Sequence, residues 1–127
     1  MEKDRLTDMQ PDSRRRTGIA GEGLAARYLR QAGYEILRTN YRFARAEVDI
    51  IARHNGAIVF VEVKTRRSNT FGEPHEAITK RKRWQLRKAA EGYLLENGIT
   101  DAECRFDVLA ISFRQGRAFI DHIEQAF

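Results

Sequence analysis

The sequence lacks the residue patterns that mark disulfide-bonded, zinc-binding and membrane proteins. It has one cysteine, Cys104, among 127 residues, which excludes an internal disulfide and a paired-cysteine zinc site. No run approaches the ~18 consecutive apolar residues that a membrane-spanning helix needs, and the N-terminal residues are charged, unlike a secretory signal. Internal repeats and low-complexity tracts are also absent. These absences predict a protein of the reducing cytoplasm with no membrane partner.

Charge, in contrast, is abundant and unbalanced. Lysine and arginine number 23 against 18 acidic residues, which gives a net charge of +5 and a pI near 9.7. Polyanions are therefore the first partners to consider, because neutralised phosphates release counterions and so drive binding. A chain of this length buries roughly two-thirds of its unfolded surface, enough for one core. We expect a mobile leader at residues 1–13, where no apolar period exists, and a single domain at 14–127.

Apolar periodicity and turn residues predict seven elements in the order α-β-β-β-α-β-β. The predicted elements are a helix at 14–32, strands at 34–43, 47–54 and 57–65, a helix at 79–97, and strands at 104–113 and 117–123. Gly33 and Gly98 are typical helix-ending residues, and Thr79 is a plausible N-cap. Residues 66–78 are expected to form a loop. This order predicts an α/β fold with a mixed central sheet flanked by helices.

The Asn55-Gly56 pair between two apolar strands predicts a type I′ hairpin turn. A two-residue turn there places Asp49 opposite Glu62. By strict alternation both acids share one sheet face with further charged and apolar residues, while the opposite face is wholly apolar. The predicted charged face carries Glu47, Asp49, Ile51, Ile58, Phe60, Glu62 and Lys64, and the opposite face carries Val48, Ile50, Ala52, Val59, Val61 and Val63.

Asp49 and Glu62 are the candidate metal ligands. Like charges directly opposite on neighbouring strands destabilise a sheet, and a buried ion costs several kcal/mol unless it is compensated. A hard divalent cation, Mg²⁺ or Mn²⁺, suits two carboxylates plus waters, and Lys64 beside it suits a phosphate oxygen or an activated water. The alternative is an exposed sheet end, with a Glu47–Lys64 salt bridge and solvated Asp49 and Glu62.

Glu22 is a further candidate catalytic residue. Helical geometry places it within the small apolar stripe of the first helix, so its carboxylate points inward. If this helix packs on the charged face of the hairpin, Glu22 becomes a third acid or orients a water. Glycines at 18, 21 and 23 favour a close approach of the helix to the sheet. The alternative is a half-exposed Glu22 that interacts with the helix dipole.

Basic residues are concentrated at 80–88, where six of nine residues are cationic and none is acidic. The candidate nucleic-acid contacts are Arg66, Arg67, Lys80, Arg81, Lys82, Arg83, Arg87 and Lys88. Such a surface would track a phosphate backbone without reading bases, although a solvated helix face is the alternative. Trp84 could stack on an unpaired base, but packing on the sheet beside Leu86, Ala90 and Tyr93 is the favoured expectation.

The remaining polar candidates receive structural roles. His54, His75 and His122 show no metal-ligand spacing, so surface or turn positions are expected for all three. Asp107 is expected to pair with an arginine such as Arg42 or Arg105.

Several motifs together resemble one family of uncharacterised bacterial proteins, the YraN family. They are G-x-x-G-E-x-x-A at 18–25, N-Y-R at 40–42, E-V-D-I-I-A at 47–52, F-V-E-V-K-T-R at 60–66, F-G-x-P at 71–74 and R-F-D-V at 105–108. The resemblance covers about residues 14–124 and extends to the PD-(D/E)xK nuclease superfamily. It implies a three-layer fold of the restriction-endonuclease type, near the archaeal Holliday-junction resolvases. It also implies that Asp49, Glu62 and Lys64 occupy the metal and catalytic positions, with Glu22 matching the helix-one glutamate of the resolvases.

The expected activity is therefore Mg²⁺- or Mn²⁺-dependent hydrolysis of phosphodiester bonds in structured or branched nucleic acid, with DNA as the first candidate. One alternative is a nucleic-acid-binding protein with a vestigial nuclease site, and another is a scaffold whose charges only confer solubility. The resemblance to the resolvases also makes a homodimer a reasonable expectation.

Overall fold

The computed structural model describes residues 13–66 and 78–127, and the predicted order of elements is confirmed. The elements are α1 (Ser13–Gln31), β1 (Glu35–Phe43), β2 (Ala46–His54), β3 (Ala57–Arg66), α2 (Lys80–Glu96), β4 (Glu103–Arg114) and β5 (Arg117–Ile123). Each predicted boundary lies within one residue of the observed one. The leader predicted at 1–13 lies outside the described residues except for Ser13, which begins α1. The predicted loop lies outside them at 67–77.

The five strands form one mixed sheet in the order β1-β2-β3-β4-β5. Strands β3 and β4 are parallel, because α2 carries the chain back between them, and the other neighbours are antiparallel. Asn55 and Gly56 have φ of 51° and 82°, as a type I′ turn requires. The predicted hairpin register is observed from His54 opposite Ala57 to Ile50 opposite Val61.

One helix covers each face of the sheet, so both faces are buried. On the first face α1 packs through Ala25 and Leu29, and on the second α2 packs through Leu86 and Tyr93. The first core cluster also contains Tyr34, Ile50, Ala52, Val59, Val61, Leu109 and Ile111, and the second also contains Tyr41, Ala46, Val48, Ile51, Ile58, Phe60, Ala89 and Ala90. Within the described ranges, neither helix combines the length and apolarity needed to cross a bilayer.

The strict alternation expected along β2 fails at Asp49. Val48 packs in the α2 cluster, although alternation predicts it beside Ile50 in the α1 cluster. Asn40 in the neighbouring strand has φ of 52°, which turns the side chains around it out of regular alternation. Because β2 pairs with β1 on both sides of Asn40, the irregularity is shared by the two strands. Asp49 therefore lies at the point in β2 where the alternation of side chains between the two sheet faces is interrupted.

Close packing was expected at the α1 glycines, and it is found at one of them. A Cβ on Gly21 would overlap the Thr65 side chain of β3, so only glycine allows α1 to lie this close. At Gly23, in contrast, a Cβ would meet nothing within 4 Å, and the expectation of close packing there is wrong. Gly21 thus sets the height of α1 above the sheet, next to Glu22.

Candidate active site

Asp49 and Glu62 come together at the end of the β2–β3 ladder. Beyond the pair Ile50–Val61, the Asp49 carboxylate accepts the backbone N–H of Val63 through Oδ2 at 2.8 Å. The side chain thereby takes the place of a backbone acceptor on β2. This bond holds Asp49 against the strand segment that carries Glu62.

Glu62 is buried, with 4% of its surface exposed. Its Oε2 lies 3.6 Å from Lys64 Nζ and 3.4 Å from Lys82 Nζ. Its Oε1 is also buried, and no residue in the described part of the chain hydrogen-bonds to it. Oε2 is thus paired with two cations, while Oε1 receives no hydrogen bond from a donor in the described residues.

The alternative interpretation, an exposed sheet end with solvated Asp49 and Glu62, does not match this arrangement. Lys64 pairs with Glu62, whereas Glu47 Oε1 lies 3.8 Å from Arg42 Nη2. A Glu47–Lys64 salt bridge was the expected feature of that alternative. The structure buries Glu62 instead, so its ionised form needs compensation by positive charge.

The acids shift each other's ionisation. Burial raises the pKa of Glu62 to about 7, and the negative charge of Asp49 adds to the effect, while Lys82 and Lys64 oppose it. Burial also raises the pKa of Asp49, while the hydrogen bond from the Val63 N–H and the charge of Lys82 lower it. The pair therefore resists full ionisation near neutral pH unless further positive charge arrives.

Glu22 of α1 interacts electrostatically with the acids of β2. Ile51, Ile58 and Phe60 of the predicted charged face pack against α2. The expected inward role of Glu22 required α1 to pack on that face, and α1 packs on the opposite one. Glu22 is nevertheless half-buried, and its pKa is raised by burial and by the charges of Asp49 and Glu47. The acids of α1 and β2 thus interact where the regular alternation ends.

The expected metal, Mg²⁺ or Mn²⁺, requires oxygen ligands in its donor set. Across residues 13–66 and 78–127, no group of three or more His, Cys, Asp or Glu is arranged to hold a metal ion. Mg²⁺ does not require such a cage, since it usually keeps several waters and binds one or two carboxylates plus substrate phosphates. Asp49 and Glu62 supply two carboxylates, and within the described residues Glu62 Oε1 is a buried acceptor without a partner. The pair fits Mg²⁺ or Mn²⁺.

Lys82 is the site residue whose position the sequence did not predict. It belongs to the basic run at the start of α2, and its Nζ points inward to Glu62. Its backbone N–H donates to Thr79 Oγ1 at 3.1 Å, which confirms Thr79 as the N-cap and fixes the first turn of the helix. Lys82 was assigned with its neighbours to a nucleic-acid surface, but here it balances a buried acid.

The other basic candidates are distributed around the helix. Lys80, Arg81, Arg87 and Lys88 are exposed, whereas Arg83 is half-buried. The Arg87 guanidinium lies over aromatic rings of the C-terminal part of the chain, at 5.7 Å from the centroid of Phe106. Arg66 ends β3 and is half-buried, while Arg67 lies outside the described residues.

The expected packing of Trp84 on the sheet is wrong. Leu86, Ala90 and Tyr93 are buried against the sheet, whereas Trp84 is 60% exposed. Lys88 Nζ lies 5.5 Å from its ring centroid on the same outer side of the helix. Trp84 and Leu86 are two positions apart, which on a helix places them on different faces.

A buried polar network at Asp107 is the main feature that sequence reasoning underestimated. The Asp107 carboxylate binds Arg105 through two hydrogen bonds of 2.9 Å and His122 Nε2 at 2.7 Å. Burial alone would raise the pKa of Asp107, but the hydrogen bonds from His122 and Arg105 lower it below its usual value. The expected pairing with Arg105 is confirmed.

The expected surface position of His122 is wrong. Only 9% of its side chain is exposed, and its Nδ1 lies 3.1 Å from the Tyr28 hydroxyl of α1. The Arg105 guanidinium also donates to the Tyr34 hydroxyl at 2.7 Å, and His54 stacks on the Tyr34 ring. The network joins α1, β4, β5 and the turn before β1, while His75 lies outside the described residues.

Comparisons with known proteins agree with the motifs. The model of the family described as "Uncharacterised protein family UPF0102" matches residues 21–111. A UPF0102 protein of Chlorobium phaeobacteroides is 47% identical over 116 residues, covering 87% of this chain and 91% of the relative. UPF0102 proteins of Syntrophomonas wolfei and Moorella thermoacetica are each 47% identical, covering 89% and 91% of this chain and 98% of each relative. The chain belongs to the UPF0102 family, which is the YraN family that its motifs indicate.

Proposed function

We propose that this protein is a Mg²⁺- or Mn²⁺-dependent nuclease that hydrolyses phosphodiester bonds in structured or branched nucleic acid. The buried Asp49–Glu62 pair carries the proposal. Two acids in one place, one of them with a free buried acceptor among the described residues, are costly for the fold and suited to a divalent cation. The likeness of the motifs to the PD-(D/E)xK superfamily supports the same chemistry.

Each side chain then has a distinct task. Asp49 and Glu62 hold the metal ion, which when bound polarises a phosphate and lowers the pKa of a water. Lys64, 3.6 Å from Glu62, supplies positive charge for the phosphate oxygen on which negative charge develops. Glu22, which is half-buried and electrostatically coupled to Asp49, orients the attacking water.

Binding of the substrate is assigned to the cations on the outer side of α2. Lys80, Arg81, Arg87 and Lys88 contact phosphates, which favours the shape of the nucleic acid over its sequence. DNA is the substrate that we propose to test first. Because these contacts release counterions, affinity should fall steeply as salt rises.

Cleavage of a labelled four-way junction, a nicked duplex and a single strand, with Mg²⁺ or Mn²⁺, tests the activity. We expect Asp49→Asn to reduce the rate by about 100-fold or more, since a bound metal contributes several kcal/mol to the transition state. Asp101→Asn is the matched control, because Asp101 is exposed and lies outside the cluster. Equal rates for wild type and Asp49→Asn would remove the assignment.

A second candidate function is nucleic-acid binding with a vestigial site. The position of Lys82 favours it, because this lysine already balances Glu62 without a metal. Calorimetric titration separates the two functions. A nuclease should bind Mn²⁺ and lose that binding on Glu62→Gln, whereas a vestigial site should show no Mn²⁺ binding but retain salt-dependent DNA binding. A scaffold would bind no nucleic acid near physiological salt.

A further inference from the structure

A groove lies between the β1–β2 turn and the first turns of α2. Its volume is about 520 Å³, and apolar and cationic side chains share its lining. The apolar members include Phe43, Ala46 and Trp84, and the cationic members are Arg45, Arg81 and Lys88. Among the described residues, no acidic side chain lines the groove.

Trp84 is the feature of this groove that needs an explanation. In the described part of the chain, Trp84, Leu95 and Phe119 are the large apolar side chains left exposed, and Trp84 is the largest of them. A tryptophan ring offers a broad flat face on which another ring can stack. Here the 60% exposed Trp84 side chain lines a groove, and the Lys88 Nζ that lies 5.5 Å from its ring centroid lines the same groove.

The charge of the groove selects the class of ligand. Three cations and several apolar side chains in one lining favour a molecule that combines negative charge with a flat apolar ring, which is the chemistry of a nucleotide. An apolar peptide side chain would fill the same space but leave the cations unused. Proteins that bind single strands use this combination, with bases stacked on aromatic rings and phosphates held by basic residues.

Two residues of the groove are also next in the chain to residues of the acidic cluster or its partners. Ala46 precedes Glu47 in β2, and Arg81 precedes Lys82, whose Nζ is 3.4 Å from Glu62. Glu47 therefore follows a groove residue in β2, and Lys82, which contacts Glu62, follows a groove residue in α2. A nucleotide in the groove would bring its neighbouring phosphodiester toward Asp49 and Glu62.

We propose that this groove binds one unpaired nucleotide, with its base stacked on Trp84 and its phosphate held by Arg45 and Arg81. The inference rests on the proposed nucleic-acid function and specifies its substrate. The substrate is a strand with an unpaired nucleotide next to the cleaved bond, as found in flaps, single strands and junction centres, and a fully paired duplex is excluded from the groove.

Trp84 is the only tryptophan of the chain, so its fluorescence reports on the groove alone. The metal-free protein is titrated with a thymidine 12-mer, a blunt 12-base-pair duplex and heparin, which is a polyanion without bases. We expect the single strand to quench the emission, and the duplex and heparin to leave it nearly unchanged at saturation. Quenching by heparin to the same extent, or single-strand binding with unchanged emission, would overturn the proposal.

Variants test the stacking by a second measurement, the anisotropy of a labelled 12-mer. Trp84→Ala should weaken single-strand binding by about 5- to 150-fold, the range for loss of one base–aromatic stack, and leave heparin binding unchanged. Trp84→Phe should restore most of the affinity. Leu95→Ala is the matched control, because Leu95 is 77% exposed on the same helix. Wild-type affinity in Trp84→Ala would contradict the stacking.

The outcomes separate this inference from the proposed nuclease. Trp84-dependent binding together with cleavage that survives Asp49→Asn would support the groove and remove the catalytic assignment. Cleavage that requires Asp49 but not Trp84, with unchanged Trp84 emission, would remove the groove and retain the nuclease. Absence of all nucleic-acid binding near physiological salt would remove both.

Discussion

At the scale of single residues, Glu62 is the centre of the electrostatic interactions in the candidate site. It is buried beside Asp49, and its charge is balanced by Lys64 and Lys82. Lysine and a divalent ion can each satisfy such a carboxylate, so Lys82 would compete with the proposed metal ion for Glu62. The two lysines balance the Glu62 charge without any metal ion.

The raised pKa of Glu62 predicts a pH-dependent stability. Between its usual value of 4.5 and about 7, folded Glu62 keeps a proton that unfolded Glu62 has lost, so the free energy of unfolding falls as pH rises through this window. We expect Glu62→Gln to match wild type near pH 4.5 and to be more stable above pH 7 by about 3 kcal/mol.

Urea unfolding of both proteins from pH 4.5 to 8, without divalent metal, measures this difference. Asp107 does not affect this comparison. Its pKa is lowered, so its contribution to the pH dependence of the free energy of unfolding lies at more acidic pH. Added Mg²⁺ should stabilise wild type at pH 8 and not Glu62→Gln. Parallel stability curves for the two proteins would contradict the assigned environment of Glu62.

Much of the residue-scale site was predictable from the sequence, and some was not. The Asn55-Gly56 turn fixes the hairpin register and so brings Asp49 near Glu62. The sequence did not show that Lys82 points toward Glu62. Six basic residues lie in the same helix, and only the packing of the helix on the sheet determines which of them faces the acid. The exposure of Trp84 and the burial of His122 likewise depend on tertiary contacts that local patterns do not encode.

At the scale of elements, helix α1 owes its position to Gly21. Gly21→Ala gains about 1 kcal/mol of helix propensity but forces an overlap with Thr65 that costs about 1–3 kcal/mol, so we expect net destabilisation. Gly23→Ala, with open space around its new methyl group, should stabilise the protein by about 0.5–1 kcal/mol. Urea denaturation of both variants measures the contrast.

Thr65→Ser provides the internal check on that contrast. It removes the methyl group that the new alanine side chain of Gly21→Ala would overlap, so the double variant should recover the stability lost in Gly21→Ala. Additive losses in the double variant would show that the Gly21–Thr65 contact does not set the height of α1.

The elements themselves were predictable because their local signals are strong and agree. Gly33 and Gly98 have positive φ at the helix ends, and Thr79 caps α2, as expected. The side-chain pattern around Asp49 was not predictable, since the left-handed Asn40 that disturbs it lies in another strand. The sequence also did not reveal which helix covers the predicted charged face, because that depends on tertiary packing.

At the scale of the whole molecule, the Asp107 network links elements that are distant in sequence. Asp107→Asn leaves the largely buried Arg105 guanidinium without its charged partner, and we expect a loss of about 3 kcal/mol in the free energy of unfolding. Urea denaturation with Asp101→Asn as control measures it. Cleavage per folded molecule should be unchanged, and a selective loss of cleavage with normal stability would show a catalytic role instead.

Anomalous diffraction from crystals soaked in Mn²⁺ tests most directly whether Asp49 and Glu62 share one divalent cation, as we propose. The account predicts one ion bonded to oxygens of both carboxylates, with Lys82 Nζ moved away from Glu62. A saturated soak that shows no ion at these acids, with Lys82 still paired to Glu62, would contradict it.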